Sequence, residues 1–447
     1  MARPKVVVVG GGFGGMSAVA ALKDVDADVL LVDQKVYNTF QPLLYQVATG
    51  GLNPGDVTYS LRAFCSKFRN ARFRHAVVSG IDTENNQVIV DDADPIPYDY
   101  LILAAGVGAN YFGIPGVEEH GFNIYTRGAS LHTRDQIFSR LEYLDSPGSG
   151  NHPINVIVVG GGPTGVEMAG TLAEMATLAV PYAYPDVDTS RINVYLVEMA
   201  NEVLGPFEPE LKSYAKRSLV KKGVKLKLGA SVSKVTATEC HLTNGEVLKT
   251  RTVIWGAGVA PRAEVKTWGL PLGRGGRILM GPDCRVEGLD NVFAIGDVAV
   301  NGDKPLPQLA QPAMQQGVHV VQQIVNLEKN QPTTEFVYKD KGIMATIGRH
   351  AAIAETPQGM KMKGFPAWVA WLALHVFVLL SNRNRFSVIT NLAARYLAYP
   401  KNVNLIVGDT LRPKDIDLQR RQVEESGTLS VEEQEAATKA GDIRRGA

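Results

Sequence analysis

Cysteine is scarce in this 447-residue chain, and a long hydrophobic run is missing from it. The three cysteines, Cys65, Cys240 and Cys284, lie far apart and form no Cys-x-x-Cys pair, which excludes a disulfide framework, a redox-active dithiol and a thiolate metal site. No apolar stretch reaches the roughly 20 residues that a membrane-spanning helix needs. Positive charge is not in excess either, since 46 Lys and Arg face 45 Asp and Glu, which argues against a nucleic-acid-binding protein. We therefore expect folded domains in a reducing compartment, with no metal site.

Glycine, in contrast, is abundant, and much of it forms two loops in similar surroundings. In the first unit, a valine strand at 6–9 is followed by GGGFGG at 10–15, a helical pattern at 16–22 and a strand at 29–32 that ends in Asp33. In the second unit, a strand at 156–159 is followed by GGGPTG at 160–165, a helical pattern from 166 to about 176 and a strand at 194–197 that ends in Glu198. Both units read as strand–helix–strand, which predicts two nucleotide-binding domains. The proline-containing segment 177–191 is predicted to be a loop that lengthens the second unit.

Each loop has the GxGxxG spacing, carried by Gly10, Gly12 and Gly15 and by Gly160, Gly162 and Gly165. Without side chains at these positions, backbone N–H groups and a helix N-terminus can approach a pyrophosphate. Asp33 and Glu198 are then placed to accept hydrogen bonds from ribose hydroxyls, which a purely structural turn would not require. Because an acid repels a 2′-phosphate and no Arg follows Glu198 at once, NADH is favoured over NADPH.

The segment 293–297, which ends in Gly296 and Asp297, resembles the Gly-Asp segment with which two-dinucleotide flavoproteins hold the ribityl chain of FAD. This assigns FAD to the N-terminal loop and NADH to the second loop. The alternative for Asp297 is a turn or a helix N-cap. A helical pattern from about 309 to 327 follows, on which Gln311 and Gln315 share one face. Their amides suit the carbonyls of a quinone, although they could also simply solvate the helix.

The C-terminal part has one sign of charge, because no Asp or Glu occurs from 356 to 408 while Lys and Arg do. Within it, the apolar block 367–380 would form a helix of roughly 21 Å, too short to cross a hydrocarbon core of ~30 Å. An amphipathic pattern at 386–397 follows. We expect both helices to lie on a membrane surface through 365–400. The alternative is a buried core helix or a dimer contact. A strand-like segment is predicted at 336–347.

These motifs resemble the type II NADH dehydrogenases, the single-subunit NADH:quinone oxidoreductases, over roughly residues 3–412. The resemblance rests on the following segments: GGGFGG at 10–15, FQPLLYQVA at 40–48, GGGPTGVE at 160–167, Gly-Asp at 296–297, AQPAMQ at 310–315, GIMATIGR at 342–349 and RNR at 383–385. Asn38 and Thr39 depart from a His-containing stretch that is common in the family before Phe40, which leaves details of the flavin pocket open.

The resemblance implies two Rossmann-like dinucleotide-binding domains of the glutathione-reductase type, with a helical C-terminal region. It implies catalytic roles for Glu167, Gln311 and Gln315. The residues expected to bind FAD are Gly10, Gly12, Phe13, Gly14, Gly15, Asp33, Gln41, Val78, Gly106, Asp297 and Ala313. Those expected to bind NADH are Gly160, Gly162, Thr164, Gly165, Glu198 and Gly258.

The predicted function is NADH:quinone oxidoreduction without proton pumping, in which a hydride passes from NADH to FAD and two electrons then reduce menaquinone or ubiquinone. The predicted domains are an FAD domain (1–112 and 280–333), an NADH domain (113–279), a membrane-associating region (334–412) and a mobile charged tail (413–447). The expected location is the cytoplasmic face of the cell membrane, and a homodimer is among the predicted partners. One alternative is a soluble NADH-dependent reductase of a small redox protein, and another is a flavoprotein switch that uses NADH to control assembly.

Overall fold

The computed structural model describes residues 3–91, 93–146, 152–302 and 304–397. Two parallel five-stranded sheets form the centre of the structure. In the first sheet the strands lie in the order Val292–Ala294, Tyr100–Leu103, Lys5–Val9, Asp28–Asp33 and Ala71–His75. In the second the order is Gly121–Asn123, Thr252–Trp255, Ile154–Val159, Ile192–Glu198 and Lys225–Leu228. The α/β fold class with two similar nucleotide-binding sheets is therefore confirmed.

The two sheets are built alike because their central strands are continuous β-branched runs that are buried on both faces. Residues 6–9 of the first sheet are at most 5% exposed. Their register pairs Val7 with Leu30 on one side and with Leu101 on the other. In the second sheet Ile157 pairs with Tyr195 and Val253 in the same manner. In both sheets the glycine loop lies at the carboxyl end of the central strand, between two neighbouring strands.

The helices cover the sheets and form most of the C-terminal region. In chain order they are α1 (Phe13–Ala21), α2 (Leu44–Ala48), α3 (Leu61–Cys65), α4 (Val117–His120), α5 (Arg127–Asp145), α6 (Pro163–Glu174), α7 (Val180–Ala183), α8 (Pro209–Lys221), α9 (Ala310–Glu328), α10 (Phe365–Val378) and α11 (Asn382–Leu397). Helices α1 and α6 begin within the two glycine loops, at Phe13 and Pro163, and α9 packs along α1. No helix in the described ranges is both long and apolar enough to cross a membrane.

Smaller sheets connect and flank the two large ones. Antiparallel sets are formed by Val78–Asp82, Gln87–Val90 and Ile96–Pro97; by Val232–Val235, Glu239–Leu242 and Val247–Lys249; by Tyr37–Thr39 and Thr58–Ser60; by Gly108–Ala109 and Val259–Ala260; and by Ile343–Thr346, Ala352–Glu355 and Lys361–Gly364. Ile278–Met280 and Ala299–Asn301 pair in parallel. The pair formed by Gly108–Ala109 and Val259–Ala260 links the two large domains.

Two predictions about the backbone are wrong in part. The segment 177–191 is not a loop throughout, because α6 continues through a π-helical turn, Met175–Ala179, into α7. The side chains of Met175, Ala179 and Val180 are buried, so their packing outweighs the breaking effect of the prolines. The segment 336–347 forms a strand only at Ile343–Thr346. The hydrophobic pattern misled the prediction because Phe336 instead packs edge-on against the His319 ring at a centroid distance of 5.3 Å.

The C-terminal region packs on both domains through polar and apolar contacts. Trp368 and Trp371 of α10 belong to the hydrophobic core below the second sheet. On α11, Ser387 and Asn391 donate hydrogen bonds of 2.6 and 2.7 Å to the buried carboxylate of Asp56. These contacts, which we call the Asp56 clasp, fasten α11 to the first domain. The predictions for 398–412 and for the tail at 413–447 lie outside the described residues.

Candidate dinucleotide and electron-transfer site

The first glycine loop presents the N-terminus of α1 to open space. A Cβ atom on Gly15 would lie 1.9 Å from the Gly10 carbonyl oxygen, so this position needs glycine for the turn itself. A Cβ on Gly12 would meet no atom within 4 Å. Gly12 therefore leaves space of the kind a pyrophosphate needs in front of the first N–H groups of the helix. Gly14 packs between Ile295 and the Ala313 backbone, which joins the loop to α9.

Asp33 and Val78 border a pocket beside this loop. The Asp33 carboxylate accepts hydrogen bonds from the Gly11 N–H at 2.6 Å and the Lys35 N–H at 2.7 Å. Desolvation by burial raises the pKa of this carboxyl group, against these hydrogen bonds and the nearby positive charges. The indole N–H of Trp268 donates to the Val78 carbonyl at 3.3 Å and closes the far side. Arg262 completes the rim. The pocket lies at the carboxyl ends of the strands beside the glycine loop, where the Rossmann fold binds the adenosine end of a dinucleotide.

Asp297 follows Gly296, whose φ of +70° favours glycine. A Cβ on Gly296 would lie 3.1 Å from the Ala313 Cβ, so Gly296 also allows α9 to approach. Desolvation raises the pKa of Asp297 to about 6, and the charge of Arg277 opposes the rise. The Gly296 N–H donates to the side-chain oxygen of the buried Gln316 at 2.7 Å. Asp297, which is predicted to hold the ribityl chain, is therefore kept next to α9.

The other residues predicted for the first site lie around it to different degrees. The Phe13 ring packs edge-on against Phe40 at 5.8 Å, next to the loop. Gly106 follows the strand that neighbours the loop, whereas Gln41 lies on an exposed turn. Asn38 is buried and donates a hydrogen bond of 2.7 Å to the Gly11 carbonyl. The departure at Asn38 and Thr39 is therefore accommodated, because the Asn38 amide braces the glycine loop.

The second glycine loop repeats the geometry of the first. A Cβ on Gly165 would lie 1.8 Å from the Gly160 carbonyl oxygen, whereas a Cβ on Gly162 would meet nothing within 4 Å. The Glu198 carboxylate accepts from the Gly161 N–H at 2.5 Å and the Ala200 N–H at 2.7 Å. Thr164 lies in the first turn of α6, half-buried. The loop, Thr164 and Glu198 are thus brought together as predicted.

Glu167 lies one helical turn into α6 and is buried, with 8% of its surface exposed. The Thr346 N–H donates to its carboxylate at 3.3 Å. Desolvation raises the pKa of Glu167 to about 8, against the lowering effects of this N–H and of the nearby Trp371 indole. That indole N–H is not in hydrogen-bond geometry with any described residue. Burial therefore favours the protonated form of Glu167 at neutral pH.

A chain of aromatic rings connects the surroundings of Glu167 with the first glycine loop. Trp371 stacks on His375 at a centroid distance of 4.0 Å, and His375 packs edge-on against Phe40 at 6.2 Å. Phe40 in turn contacts Phe13, as described above. Burial lowers the pKa of His375 and so favours the neutral form of this ring, against the raising effect of its contact with the Trp371 carbonyl. The C-terminal helix α10 thus completes one wall of the site between the two glycine loops.

The two predicted glutamines lie on α9 but in unequal surroundings. The Gln315 amide is held at both ends by the Lys339 backbone, with hydrogen bonds of 2.9 and 3.0 Å. No described residue hydrogen-bonds the half-buried Gln311 amide. The described contacts do not join either glutamine directly to Glu167. Segment 339–346 connects Gln315 with Glu167, since it carries both Lys339 and Thr346.

Sequence reasoning missed several residues of this site. They are Asn38, Gln316, Thr346, Trp371 and His375. Each acts through a contact between segments that are distant in the chain, so spacing offers no signal for it. The one usable signal was the helical spacing of Gln316 with Ala313 and Val320, because a helix projection places Gln316 on the same buried face as these apolar residues.

Comparison with known proteins decides the family. Residues 4–317 match the family model of the pyridine nucleotide-disulphide oxidoreductases, and residues 341–398 match the NDH2 C-terminal domain. A type II NADH:quinone oxidoreductase of Mycobacterium tuberculosis is 35% identical over 407 residues, which cover 87% of this chain and 86% of that protein. The chain belongs to the type II NADH:quinone oxidoreductases.

Further relatives of this type II family member agree with that assignment. The internal alternative NAD(P)H-ubiquinone oxidoreductase A1 of Arabidopsis thaliana is 31% identical over 429 residues, covering 87% of this chain and 83% of that protein. The structure of NDH2 from Plasmodium falciparum in complex with NADH superposes with a TM-score of 0.83 at 21% identity and covers 91% of this chain and 100% of that chain. At that identity the superposition supports the shared fold.

The residues present fit the two cofactors of a type II NADH:quinone oxidoreductase, FAD and NADH. The open space at Gly12 and the pocket at Asp33 suit the pyrophosphate and adenosine of FAD, and Asp297 suits its ribityl chain. The open space at Gly162 and the carboxylate of Glu198 suit NADH. Among the described residues, no group of His, Cys, Asp and Glu side chains could hold a metal ion.

We expect Glu198→Arg to shift the preference of the enzyme from NADH toward NADPH by at least tenfold in kcat/KM. The carboxylate would no longer repel a 2′-phosphate, and the guanidinium would bind one. Steady-state kinetics with both nucleotides would measure the ratio. Glu202→Arg, at a more exposed acid of the following turn, provides the control. An unchanged ratio would show that Glu198 does not face the ribose.

Proposed function

We propose that this chain oxidises NADH and reduces a membrane quinone at a single site between its two domains. The observation that carries the proposal is the presence of two equivalent glycine loops. They leave open space at Gly12 and Gly162, and the carboxylates of Asp33 and Glu198 lie beside them. The short antiparallel link of Gly108–Ala109 with Val259–Ala260 joins the two halves. When bound, FAD accepts a hydride from NADH and delivers two electrons to the quinone.

The chain's own residues bind, orient and protonate the reactants. The N-termini of α1 and α6 bind the two pyrophosphates, while Asp33 and Glu198 accept from ribose hydroxyls. The Gln311 amide is free to donate to a quinone carbonyl, and Gln315 fixes α9 to the Lys339 backbone. Glu167 holds a proton near the aromatic wall and supplies it to the reduced quinone. Menaquinone or ubiquinone as the acceptor stays a prediction, and so does the homodimer.

The membrane face is formed by α10 and α11. Their outward side exposes large apolar side chains, namely Phe365, Val369, Leu374, Phe377, Phe386 and Ile389. Arg385 lies over the Phe377 ring at 5.5 Å, and Arg383 is exposed nearby. Apolar groups flanked by cations suit the boundary between lipid headgroups and acyl chains. We propose that this face docks on an anionic leaflet on the cytoplasmic side and receives the quinone there.

The decisive experiment on function is anaerobic addition of NADH to the purified protein. We expect the flavin absorbance to bleach and to recover when a short-chain quinone is added. Recovery with a small iron–sulfur protein but not with the quinone would favour the soluble-reductase alternative. Bleaching without any turnover would favour the switch alternative.

We expect Gln311→Ala to raise the KM for quinone by about tenfold while the KM for NADH changes less than twofold. Loss of one hydrogen bond to a buried carbonyl has an effect of about this size. Gln322→Ala, at an exposed amide on the same helix, is the control. Gln315→Ala should raise the quinone KM more than the NADH KM and also lower the melting temperature, because it frees the Lys339 backbone. A larger rise in the NADH KM would contradict the placement of the acceptor at α9.

A further inference from the structure

Phe112 combines an unfavourable backbone conformation with an exposed aromatic ring. Its φ is +53°, in the left-handed region, and 61% of its surface is exposed. For a residue other than glycine this conformation is sterically unfavourable. The exposed ring returns little hydrophobic stabilisation. A bulky residue in such a position calls for a role outside the folding of the chain.

Neighbouring groups hold Phe112 in this conformation. Its N–H donates to the Asn110 side-chain oxygen at 2.9 Å, and the Trp255 indole N–H donates to the Asn110 carbonyl at 2.8 Å. Hydrogen bonds to both the side chain and the carbonyl of Asn110 therefore fix the turn, and the turn fixes the position of the Phe112 ring.

The ring rests on the backbone of Gly258. A Cβ on Gly258 would lie 2.4 Å from the Phe112 Cζ, so a side chain at that position would displace the ring. Tyr125 fixes the same peptide, since its hydroxyl donates to the Gly258 carbonyl at 3.1 Å. Gly256, two residues earlier, lies close to the loop glycine Gly160. A Cβ added to Gly160 would lie 2.9 Å from the Gly256 carbonyl group. Phe112 thus stands at the edge of the second glycine loop.

The strand order tells which end of the dinucleotide reaches this edge. Glu198 ends the strand on one side of the central strand Ile154–Val159, and Thr252–Trp255 ends at Gly256 on the other side. A dinucleotide with its adenosine ribose at Glu198 and its pyrophosphate at α6 crosses the central strand. Its nicotinamide half therefore lies over Gly256 and Gly258.

We propose that Phe112 is a positioning residue that holds the nicotinamide half of NADH against the Gly256–Gly258 backbone. The exposed ring supplies an apolar surface for the nicotinamide riboside, and the strained backbone keeps that surface in place before NADH arrives. This assignment rests on the proposed function of the second site as the NADH site. It adds a residue from the link between the domains to that site.

The test compares Phe112→Ala and Phe112→Gly with Tyr182→Ala, a change at another exposed aromatic residue. Binding is measured for NADH and for ADP-ribose, which lacks the nicotinamide, and thermal stability is measured on the flavin-loaded protein. Both Phe112 variants should bind NADH about tenfold more weakly, while ADP-ribose binding changes less than twofold. Phe112→Gly should also melt at a higher temperature than the parent, because glycine adopts the positive φ without strain.

Other outcomes overturn the assignment. Equal weakening of NADH and ADP-ribose would place the ring elsewhere on the dinucleotide. Unchanged NADH binding, or a drop in melting temperature for Phe112→Gly, would make Phe112 a structural residue. Failure of the parent protein to bind NADH at all would instead refute the proposed function, and the two results are therefore distinguishable.

Discussion

Replacing Glu167 with glutamine should lower kcat for quinone reduction by about 100-fold while NADH still bleaches the flavin at nearly the parental rate. A positioned proton donor increases the rate by roughly 100-fold or more. A glutamine amide has the shape of the carboxylic acid but no acidic proton to transfer. Stopped-flow absorbance separates flavin reduction from quinone reduction. Glu174→Gln is the matched control, since Glu174 is a buried acid on the same helix that instead pairs with Lys222. The Glu174→Gln variant should have a lower melting temperature than the parent and an unchanged kcat.

The pH dependence gives an independent check on Glu167. Its pKa is about 8 in the folded protein and near 4.5 in the unfolded chain. Between these values the folded state keeps a proton that the unfolded state has lost, so Glu167 makes unfolding progressively easier as the pH rises from about 4.5 to 8. The melting temperature of Glu167→Gln relative to the parent should therefore rise across this window and level off above it. Activity of the parent should fall above pH 8, a limb that the variant lacks.

A melting-temperature difference between the variant and the parent that does not rise between pH 4.5 and 8 would contradict the desolvation of Glu167. A pH profile with the same upper limb in both proteins would show that another group supplies the proton.

Gly162→Ala should abolish NADH binding at millimolar concentration and leave the fold intact. Its Cβ would meet no protein atom within 4 Å, so the melting temperature and the bound flavin should be unchanged. The methyl group would, however, occupy the space that we assign to the NADH pyrophosphate. Equilibrium titration and flavin bleaching measure the loss.

Two further glycines bracket this result. Gly55→Ala adds a Cβ that also meets nothing, on the far α11 side of the first domain, and it should leave NADH binding unchanged. Gly165→Ala places its Cβ against the Gly160 carbonyl oxygen and should lower the melting temperature as well. If Gly162→Ala binds NADH normally, the pyrophosphate does not lie at this helix end.

The sequence predicts correctly the positions of residues that belong to one short, continuous structural unit. Gly12, Asp33, Gly162 and Glu198 lie where their spacing indicates, because strand, turn, helix and next strand are consecutive in the chain. The extension of α6 beyond Met175 was missed because burial of the following apolar residues overrides proline. Thr346, the partner of Glu167, lies 179 residues away in the chain, and Lys339, the partner of Gln315, lies 24 residues away. No local sequence pattern encodes contacts over such distances.

The Asp56 clasp has a consequence for the membrane face that we propose on α11. Helix α11 is secured on its inner side by polar groups and by the buried Val388 and Leu392, whereas Phe386 and Ile389 point away from the protein. The exposed side of α11, which we propose to dock on lipid, is therefore separate from the side that holds the helix in place. Docking of that exposed side would leave the Asp56 clasp intact.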